Sequence, residues 1–331
     1  MTKYSERLKT QGNYEISFEP NSIWKYKKNK ILEELCETDY TKEQKTKRTG
    51  DWVKAGPGGH FSGWNKEYNK RIIEFWTAKG DTILDPFAGH SSSFMPYLME
   101  RNFIGFEITT KRYNIQVEHI AKLKNKYSFK SKIFLYNKSS EHITDDLIGK
   151  KVDAIITDPP FWDLEKYEAP ISGTQLSDIK KLDDFNKKLK DILSLSVKYL
   201  KDGGYMIVKV ANMRREGKLV KLKVMWEEMI EKMGMELVDE IILELSPVKR
   251  HPLYAQAITN LNMLKVHEYA LVFRKKDKNV LISNHINFSR PLVKDVYNNE
   301  DRLFWSEERG KKDHITESLE RTKESFDESE W

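Results

Sequence analysis

The run Val152-Asp153-Ala154-Ile155-Ile156-Thr157-Asp158-Pro159-Pro160-Phe161 contains a nearly continuous apolar segment that ends in an acid, two prolines and an aromatic ring. A short apolar run of this kind is typical of a strand that is buried on both faces of a parallel sheet. Asp158 and the Pro159 carbonyl can accept the two hydrogens of an exocyclic amino group, while Phe161 stacks on the ring that carries it. Asp-Pro is also an ordinary turn starter, so this run alone leaves a plain loop open.

A second motif lies upstream of this run. Thr82-Ile83-Leu84-Asp85-Pro86-Phe87-Ala88-Gly89 predicts a short buried strand that enters a tight glycine turn, and Ser91-Ser92-Ser93 can begin a helix. Phe103-Ile104-Gly105-Phe106-Glu107 predicts a second strand, which ends in an acid. An acid about 20 residues after such a turn is at the spacing where an open α/β sheet holds ribose hydroxyls. The pattern therefore predicts a site for a nucleoside cofactor.

Together the two motifs resemble those of the S-adenosylmethionine-dependent DNA amino-methyltransferases, the family that methylates adenine N6 or cytosine N4. Asp85-Pro86-Phe87-Ala88-Gly89 is similar to its cofactor motif and Asp158-Pro159-Pro160-Phe161 to its catalytic motif. His267 to Lys275 resembles the last strand of its sheet. The likeness covers roughly residues 50–276, and two motifs in the right order are much more specific than either alone.

The resemblance implies S-adenosyl-L-methionine as the cofactor and a role for each matching residue. Glu107 is expected to bind the ribose, and the loop at His60 and Phe61 to close over the methionine end. The residues expected around the methionine part are Asp85, Pro86, Phe87, Ala88, Gly89, Ser91 and Ser92. Those expected to take the target base are Asp158, Pro159, Pro160 and Phe161.

Ser91 departs from the family pattern, which has a glycine at this position. A serine there costs stability or affinity if the backbone needs a positive φ or if the cofactor approaches it closely. Ordinary helical geometry would make the change harmless. The departure also keeps open a catalytically silent subunit that retained the fold.

The order of apolar patterns predicts an α/β fold with a doubly wound, seven-stranded, Rossmann-like methyltransferase sheet and an antiparallel last strand. The link from Ser246 to His267 has no helical pattern, so a hairpin return is expected before that strand. Strands are predicted near 81–85, 103–107, 132–136, 152–157, 204–211, 237–245 and 267–274, and helices near 66–78, 91–100, 110–125, 183–200 and 219–233.

Charge and composition divide the chain into three parts. Residues 1–50 form a polar extension, residues 51–276 the methyltransferase domain, and residues 277–331 an acidic and partly mobile tail. The net charge is +6, but residues 301–331 carry ten acidic and six basic residues, so the first 300 residues carry +10. A basic body suits a polyanion such as double-stranded DNA.

Two segments are candidates for contacting DNA, near residues 162–175 and 246–265. They are polar, with interspersed apolar residues that could anchor a loop. Neither is long enough to form a recognition domain, so a contribution is expected from residues 1–50 or from a second subunit, in a homodimer or as an additional specificity subunit. The candidate nucleic-acid-binding residues are Trp162, Lys249, Arg250, His251, Tyr254, Gln256 and Asn260.

Several classes are excluded or disfavoured by composition. The single cysteine, Cys36, rules out an intrachain disulfide and a cysteine-rich zinc site, and no metal is expected. No apolar run approaches the length of a membrane span, and the amino terminus lacks a signal-peptide pattern. A cytoplasmic protein of bacterial or phage-like origin is expected, with restriction–modification as the family's usual setting.

The target base is the least determined property. Asp158 favours adenine N6, because cytosine N4 enzymes often carry serine before the two prolines. The segment from Trp162 to Tyr167, however, resembles segments of cytosine N4 enzymes. Methylation of guanine N2 in RNA is a further alternative, disfavoured because no separate RNA-binding domain precedes the sheet.

Overall fold

One mostly parallel sheet organises the part of the chain that the structure describes. The structure is a computed structural model, and it describes residues 22–26, 29–38, 65–162, 170–171, 175–245, 263 and 265–276. The strands are β1 (Ile23–Trp24), β2 (Thr82–Asp85), β3 (Asn102–Phe106), β4 (Ile133–Tyr136), β5 (Val152–Thr157), β6 (Leu200–Val210), β7 (Met213–Arg215), β8 (Lys218–Val220), β9 (Met235–Glu244) and β10 (His267–Lys275).

Seven helices accompany these strands within the described residues. Most of them connect parallel strands, which requires a crossover. They are α1 (Lys30–Leu35), α2 (Lys66–Trp76), α3 (Phe94–Leu98), α4 (Thr110–Lys126), α5 (Asp145–Ile148), α6 (Leu182–Tyr199) and α7 (Leu222–Glu231), with two short 3₁₀ turns at Ser140–His142 and Leu176–Asp178. None of the described helices is long and apolar enough to cross a membrane.

The strand order in the main sheet is β1-β9-β10-β6-β5-β2-β3-β4. β10 pairs antiparallel with both β6 and β9, and the other pairs are parallel. The seven predicted strands and the antiparallel last strand are confirmed. β1 adds an eighth strand at the edge, and β7 and β8 form a separate hairpin that the sequence pattern did not predict.

Each buried strand contributes to two apolar layers, one on either face of the sheet. Along β2, Leu84 joins the layer of α6 and α7, whereas Ile83 joins the layer of α2, α3 and α4. Ile155 and Ile156 divide in the same way in β5. Successive side chains of a strand point to opposite faces, so a strand covered on both faces must be apolar throughout. This explains the continuous apolar runs in the sequence.

α3 is shorter than the helix predicted near 91–100. Residues 91–93 form turns, and the helix proper begins at Phe94. It ends early because Glu100 adopts a left-handed φ of 60°. The N–H of Arg101 donates to the Pro96 carbonyl and the N–H of Glu100 to the Tyr97 carbonyl, which is a Schellman ending.

Candidate active site

The reversal of strand order between β2 and β5 creates a cleft at the carboxyl edge of the sheet. From β2 the chain continues to β3 and β4 on one side, and β5 then returns to the other side of β2. Ligands of open α/β sheets bind at such a switch point. The empty space in the cleft, with its mouth that is open to solvent included, is about 930 Å³. It is lined by residues that follow β2, β3, β4 and β5.

The turn after β2 is shaped by Asp85. The buried carboxylate of Asp85 accepts hydrogen bonds from the Phe87 N–H at 2.9 Å and from the Thr157 hydroxyl at 2.6 Å, and the Ser92 hydroxyl also donates to it. Burial raises the pKa of Asp85 to about 6 despite these donors. Asp85 does not line the cleft itself, whereas Pro86, Phe87, Ala88, Gly89, Ser91 and Ser92 do. Among the described residues, Asp85 therefore lies behind the turn and fixes its shape.

Two glycines allow the turn to form in this place. Gly89 has a φ of 59°, a left-handed conformation that glycine adopts without steric cost. Gly105 in β3 lies so close to the turn that a Cβ there would stand 3.0 Å from the Ala88 Cβ, and 2.4 Å from the Phe103 ring. The turn can therefore pack directly on β3 only because position 105 has no side chain.

Ser91 has no positive φ, so the serine introduces no backbone strain at this position. Its hydroxyl accepts a hydrogen bond at 3.3 Å from Lys66 Nζ, at the start of α2, and both residues line the cleft. The departure from the family pattern is thus accommodated by the local geometry.

Gln116 of α4 holds the turn from behind and was missed by sequence reasoning. Its side chain is fully buried; it donates to the Gly89 carbonyl at 2.9 Å and accepts from the Ser93 N–H and hydroxyl at 3.1 and 2.7 Å. The sequence does contain one signal for this role, because Gln116 lies on the same helix face as the buried Ile120 and Leu123.

Glu107 follows β3 and lines the cleft beside the turn. Its carboxylate accepts from the Thr109 N–H and hydroxyl, each at 2.7 Å, and from the Gly89 N–H. Burial raises the pKa of Glu107 to about 7, with Arg112 acting in the opposite direction. The contact between Glu107 and Gly89 links the acid after β3 to the turn after β2, as a site for one nucleoside requires. Asn137, after β4, donates to the Glu107 carbonyl and does not line the cleft.

Asp158 follows β5 and lines the cleft as the first member of a buried charge cluster. Lys209 Nζ in β6 lies 2.7 Å from Asp158 Oδ2 and 3.3 Å from Glu268 Oε2 in β10. The side chains of Asp158 and Lys209 are only 8% and 5% exposed, so water screens this pair weakly. Burial raises the pKa of Asp158 to about 6, Lys209 opposes this shift, and Glu268 and Asp85 reinforce it.

Asp158 retains acceptor capacity in this arrangement. Asp158 Oδ2 faces Lys209 Nζ at 2.7 Å, and among the described residues Ser177 Oγ is buried without a hydrogen-bond partner. Both residues line the cleft. Buried polar groups are almost always hydrogen-bonded, so Ser177 Oγ is available to a ligand in the cleft.

Phe161 lies in the apolar layer of α6 and α7 and not among the residues that line the cleft. Phe161 is 7% exposed and packs on Trp226, with the two ring centroids 6.4 Å apart. Lys209 Nζ lies 5.9 Å from the centroid of the Phe161 ring. Pro159 is buried, whereas Pro160 lines the cleft. Trp162 is half-buried and donates to the Lys180 carbonyl at 3.2 Å. A base-stacking role for Phe161 stays a prediction.

Several predicted site residues lie outside the described residues. They are His60 and Phe61 of the expected cofactor loop, and Lys249, Arg250, His251, Tyr254, Gln256 and Asn260 of the expected recognition segment. Their roles stay predictions.

Lys209 and Glu268 were also missed by sequence reasoning. The only sequence signal for Lys209 is a lysine between two valines in a strand expected to be buried. Glu268 and Asp158 are 110 positions apart in the chain, and pairing of β10 with β6 brings them to the same lysine.

The comparisons with known proteins identify a family and similar structures. A family model described as DNA methylase matches residues 2–118 and 152–329. Two solved structures with a similar fold are an rRNA methylase from Streptococcus thermophilus and a methyltransferase from Pyrococcus furiosus. The first is 8% identical with a TM-score of 0.40 and covers 66% of this chain and 100% of its own. The second is 13% identical with a TM-score of 0.41 and covers 72% and 99%.

No match was found among curated protein sequences. The matched family model nevertheless spans most of the chain and includes both motifs. The chain therefore belongs to the N6/N4 DNA methylase family and is a methyltransferase that uses S-adenosyl-L-methionine as its cofactor.

Proposed function

We propose that the protein methylates an exocyclic amino group of a base extruded from double-stranded DNA, with adenine N6 as the favoured target. The observation that carries this proposal is the Asp158 carboxylate, which pairs with Lys209 and lines the same cleft as the turn from Pro86 to Ser92. The nucleophile's activator and the cofactor turn thereby face one shared space.

The chemistry assigned to Asp158 is hydrogen-bond acceptance. An amino group conjugated to a purine ring is a poor nucleophile, because its lone pair is delocalised into the ring. Hydrogen bonds from its two hydrogens to Asp158 and the Pro159 carbonyl would turn the lone pair out of conjugation. These contacts strengthen as positive charge develops on the nitrogen, so they stabilise the transition state more than the bound substrate.

The residues of the cleft fit the cofactor. S-adenosyl-L-methionine supplies an electrophilic methyl group on a cationic sulfonium. The turn from Pro86 to Ser92 would hold the methionine part of the cofactor. Lys66, which lies near Ser91, would pair with the carboxylate of that methionine part. Glu107 would accept hydrogen bonds from the ribose hydroxyls, and its carboxylate and that of Asp158 favour a cation in the space between them.

The direct test is transfer of a tritiated methyl group to unmethylated duplex DNA and, in parallel, to tRNA. We expect label in DNA, and N6-methyladenine after nucleoside chromatography. Detection of N4-methylcytosine would confirm DNA as the substrate but show that cytosine, and not adenine, is the target base. Label confined to tRNA would overturn the proposal, and cofactor binding without transfer to either substrate would favour the silent subunit.

The first prediction for the cofactor site concerns Glu107. Replacement by alanine removes an acceptor from the expected ribose subsite and should weaken S-adenosyl-L-methionine binding by about 1.5–3 kcal/mol, the range for hydrogen bonds to charged groups. Calorimetry at pH 8 measures this loss. Arg112→Gln is the matched control on the same cleft wall, since it removes a charge and no expected ribose acceptor. Unchanged affinity of Glu107→Ala would place the ribose elsewhere.

Cofactor affinity should also depend on pH. The pKa of Glu107 is raised to about 7, so the carboxylate is increasingly protonated as the pH falls below 7. A cationic ligand favours the ionised form, so its affinity should rise with pH up to about 7.5 and fall by up to about tenfold per pH unit well below 7. Glu107→Gln should flatten this dependence in calorimetric titrations between pH 5.5 and 8. An equally steep profile in Glu107→Gln would assign the titration to another group.

A third prediction tests how the target base is received. If Phe161 provides a stacking platform, Phe161→Ala loses about 1–3 kcal/mol of base stacking and should impair a fully paired target more than one opposite an abasic site. The measurement is kcat/KM for variant and wild type on both duplexes. Equal losses would indicate that the ring only packs against Trp226, which is the contact it makes here.

A further inference from the structure

The hairpin formed by β7 and β8 presents a basic surface beside the cleft. Arg214, Arg215 and Lys218 are exposed, and Lys221 follows directly after β8 and is exposed as well. Glu216 is the only acidic residue between positions 213 and 221, so the segment carries a net charge of +3. Lys223 does not add to this surface, because Glu227 and Glu240 pair with it.

The hairpin is anchored and therefore has a defined position. Met213 pairs with Val220 at its base, and both pack on the same apolar layer as Phe161. Its two-residue turn has positive φ angles at Glu216 (49°) and Gly217 (77°), the conformation of the tight turns that match the twist of paired strands. Asn212 Oδ1 also accepts from the Lys223 N–H, which links the two ends of the hairpin.

The sheet places this hairpin at the edge that carries the active site. β6 runs parallel to β5, so both strands end at the same edge. Met213 follows Lys209 by four residues, so the two Cα atoms lie within about 14 Å of each other. Lys209 Nζ is itself 2.7 Å from Asp158. A duplex that delivers a base to Asp158 is wider than this separation, so its backbone can reach the hairpin.

We infer that the β7–β8 hairpin binds the phosphate backbone of the DNA duplex and positions it over the cleft. The inference rests on the proposed function. Guanidinium and ammonium groups on a short anchored hairpin suit phosphates, which fix the position of a protein on DNA without reading its sequence. Glu216 lies at the tip and would repel the same phosphates.

The experiment needs no recognition sequence, because phosphate contacts do not depend on sequence. Binding to a fluorescent 30-base-pair duplex of arbitrary sequence is measured by anisotropy over a range of salt concentrations. For Arg214→Gln/Lys218→Gln we expect on the order of tenfold weaker binding near 0.1 M salt, and a slope of log K against log [salt] that is smaller by about 1–2. Glu216→Gln should act in the opposite direction and tighten binding two- to threefold.

Lys124→Gln is the matched control. Lys124 is exposed in the last turn of α4, which runs from the carboxyl end of β3 toward the amino end of β4 and so lies at the opposite edge of the sheet. It should leave both affinity and slope unchanged. Cofactor affinity and melting temperature of the hairpin variants should match wild type, which separates loss of DNA contact from loss of folding.

An unchanged salt slope in Arg214→Gln/Lys218→Gln would overturn the inference, and so would equal losses in Lys124→Gln. Weaker binding to tRNA with unaltered binding to the duplex would overturn it as well. These outcomes are distinct from failure of the proposed function, which is absence of methyl transfer to DNA by the wild-type protein.

Discussion

Asp158→Ala is expected to reduce methyl transfer by on the order of 1,000-fold and to leave cofactor affinity within a few-fold of wild type. The substitution removes the acceptor proposed to activate the amino group, a contribution made mainly in the transition state. The cofactor turn is held by Asp85, Thr157 and Gln116, none of which depends on Asp158 for a hydrogen bond. Single-turnover kinetics with saturating cofactor, together with calorimetry, separate the two effects.

Asp158→Asn is the matched variant, because asparagine keeps one carbonyl acceptor but loses the charge. It should retain measurable transfer, and it should lose the decline in rate below pH 6 that is expected of wild type from the raised pKa of Asp158. Near-normal turnover by Asp158→Ala would remove Asp158 from the mechanism.

Lys209→Met should lower the rate at pH 7 by roughly two- to 100-fold. An opposite charge at this distance typically lowers a carboxyl pKa by about 1–3 units, so losing the ammonium raises the pKa of Asp158 above about 6. Glu268 and Asp85 remain beside it, and half or more of the molecules would then carry a protonated Asp158 at pH 7. The acid limb of the pH–rate profile should move to higher pH, and activity should recover as the pH approaches 9.

Two further variants test the direction in which the acid limb of the pH–rate profile moves. Lys209→Arg keeps the charge and should keep the position of the acid limb even if the rate falls. Glu268→Gln removes a carboxylate that raises the pKa of Asp158, so its acid limb should move to lower pH. A profile for Lys209→Met that is lower at every pH and not displaced would mean that Lys209 serves packing alone. Cofactor affinity and thermal melting exclude general unfolding as the cause.

The sheet and the positions of its acids could be predicted from sequence because both depend on local patterns. Apolar runs identified the strands, and the residue after each run is placed at the carboxyl edge by parallel pairing. Glu107 and Asp158 do line one cleft with the turn from Pro86 to Ser92. The Asp85 carboxylate lies behind the turn, a placement that depends on side-chain direction, and its contact with the cofactor stays a prediction.

The partners of these residues could not be predicted, because they depend on which strands become neighbours. Lys209 in β6 pairs with Asp158, which follows the neighbouring strand β5, and with Glu268 in β10 on its other side. Gln116 binds a turn that lies 27 positions earlier in the chain. The β7–β8 hairpin was missed because Glu-Gly is an unusual pair for a turn that favours Asn-Gly or Asp-Gly, and because a helix was expected from residue 219.

The position of β10 in the strand order affects the order in which the sheet can form during synthesis. β10 lies between β6 and β9, both of which precede it in the chain, and it supplies Glu268 to the charge cluster. The sheet can therefore not close until residues 267–275 have left the ribosome, however early β2 to β5 pair. Such a non-local insertion is intrinsically slow, since its loop entropy is lost before the new contacts form. A nascent chain that has emerged only as far as β5 contains every residue that holds the turn after β2, whereas Glu268 is still missing from the charge cluster.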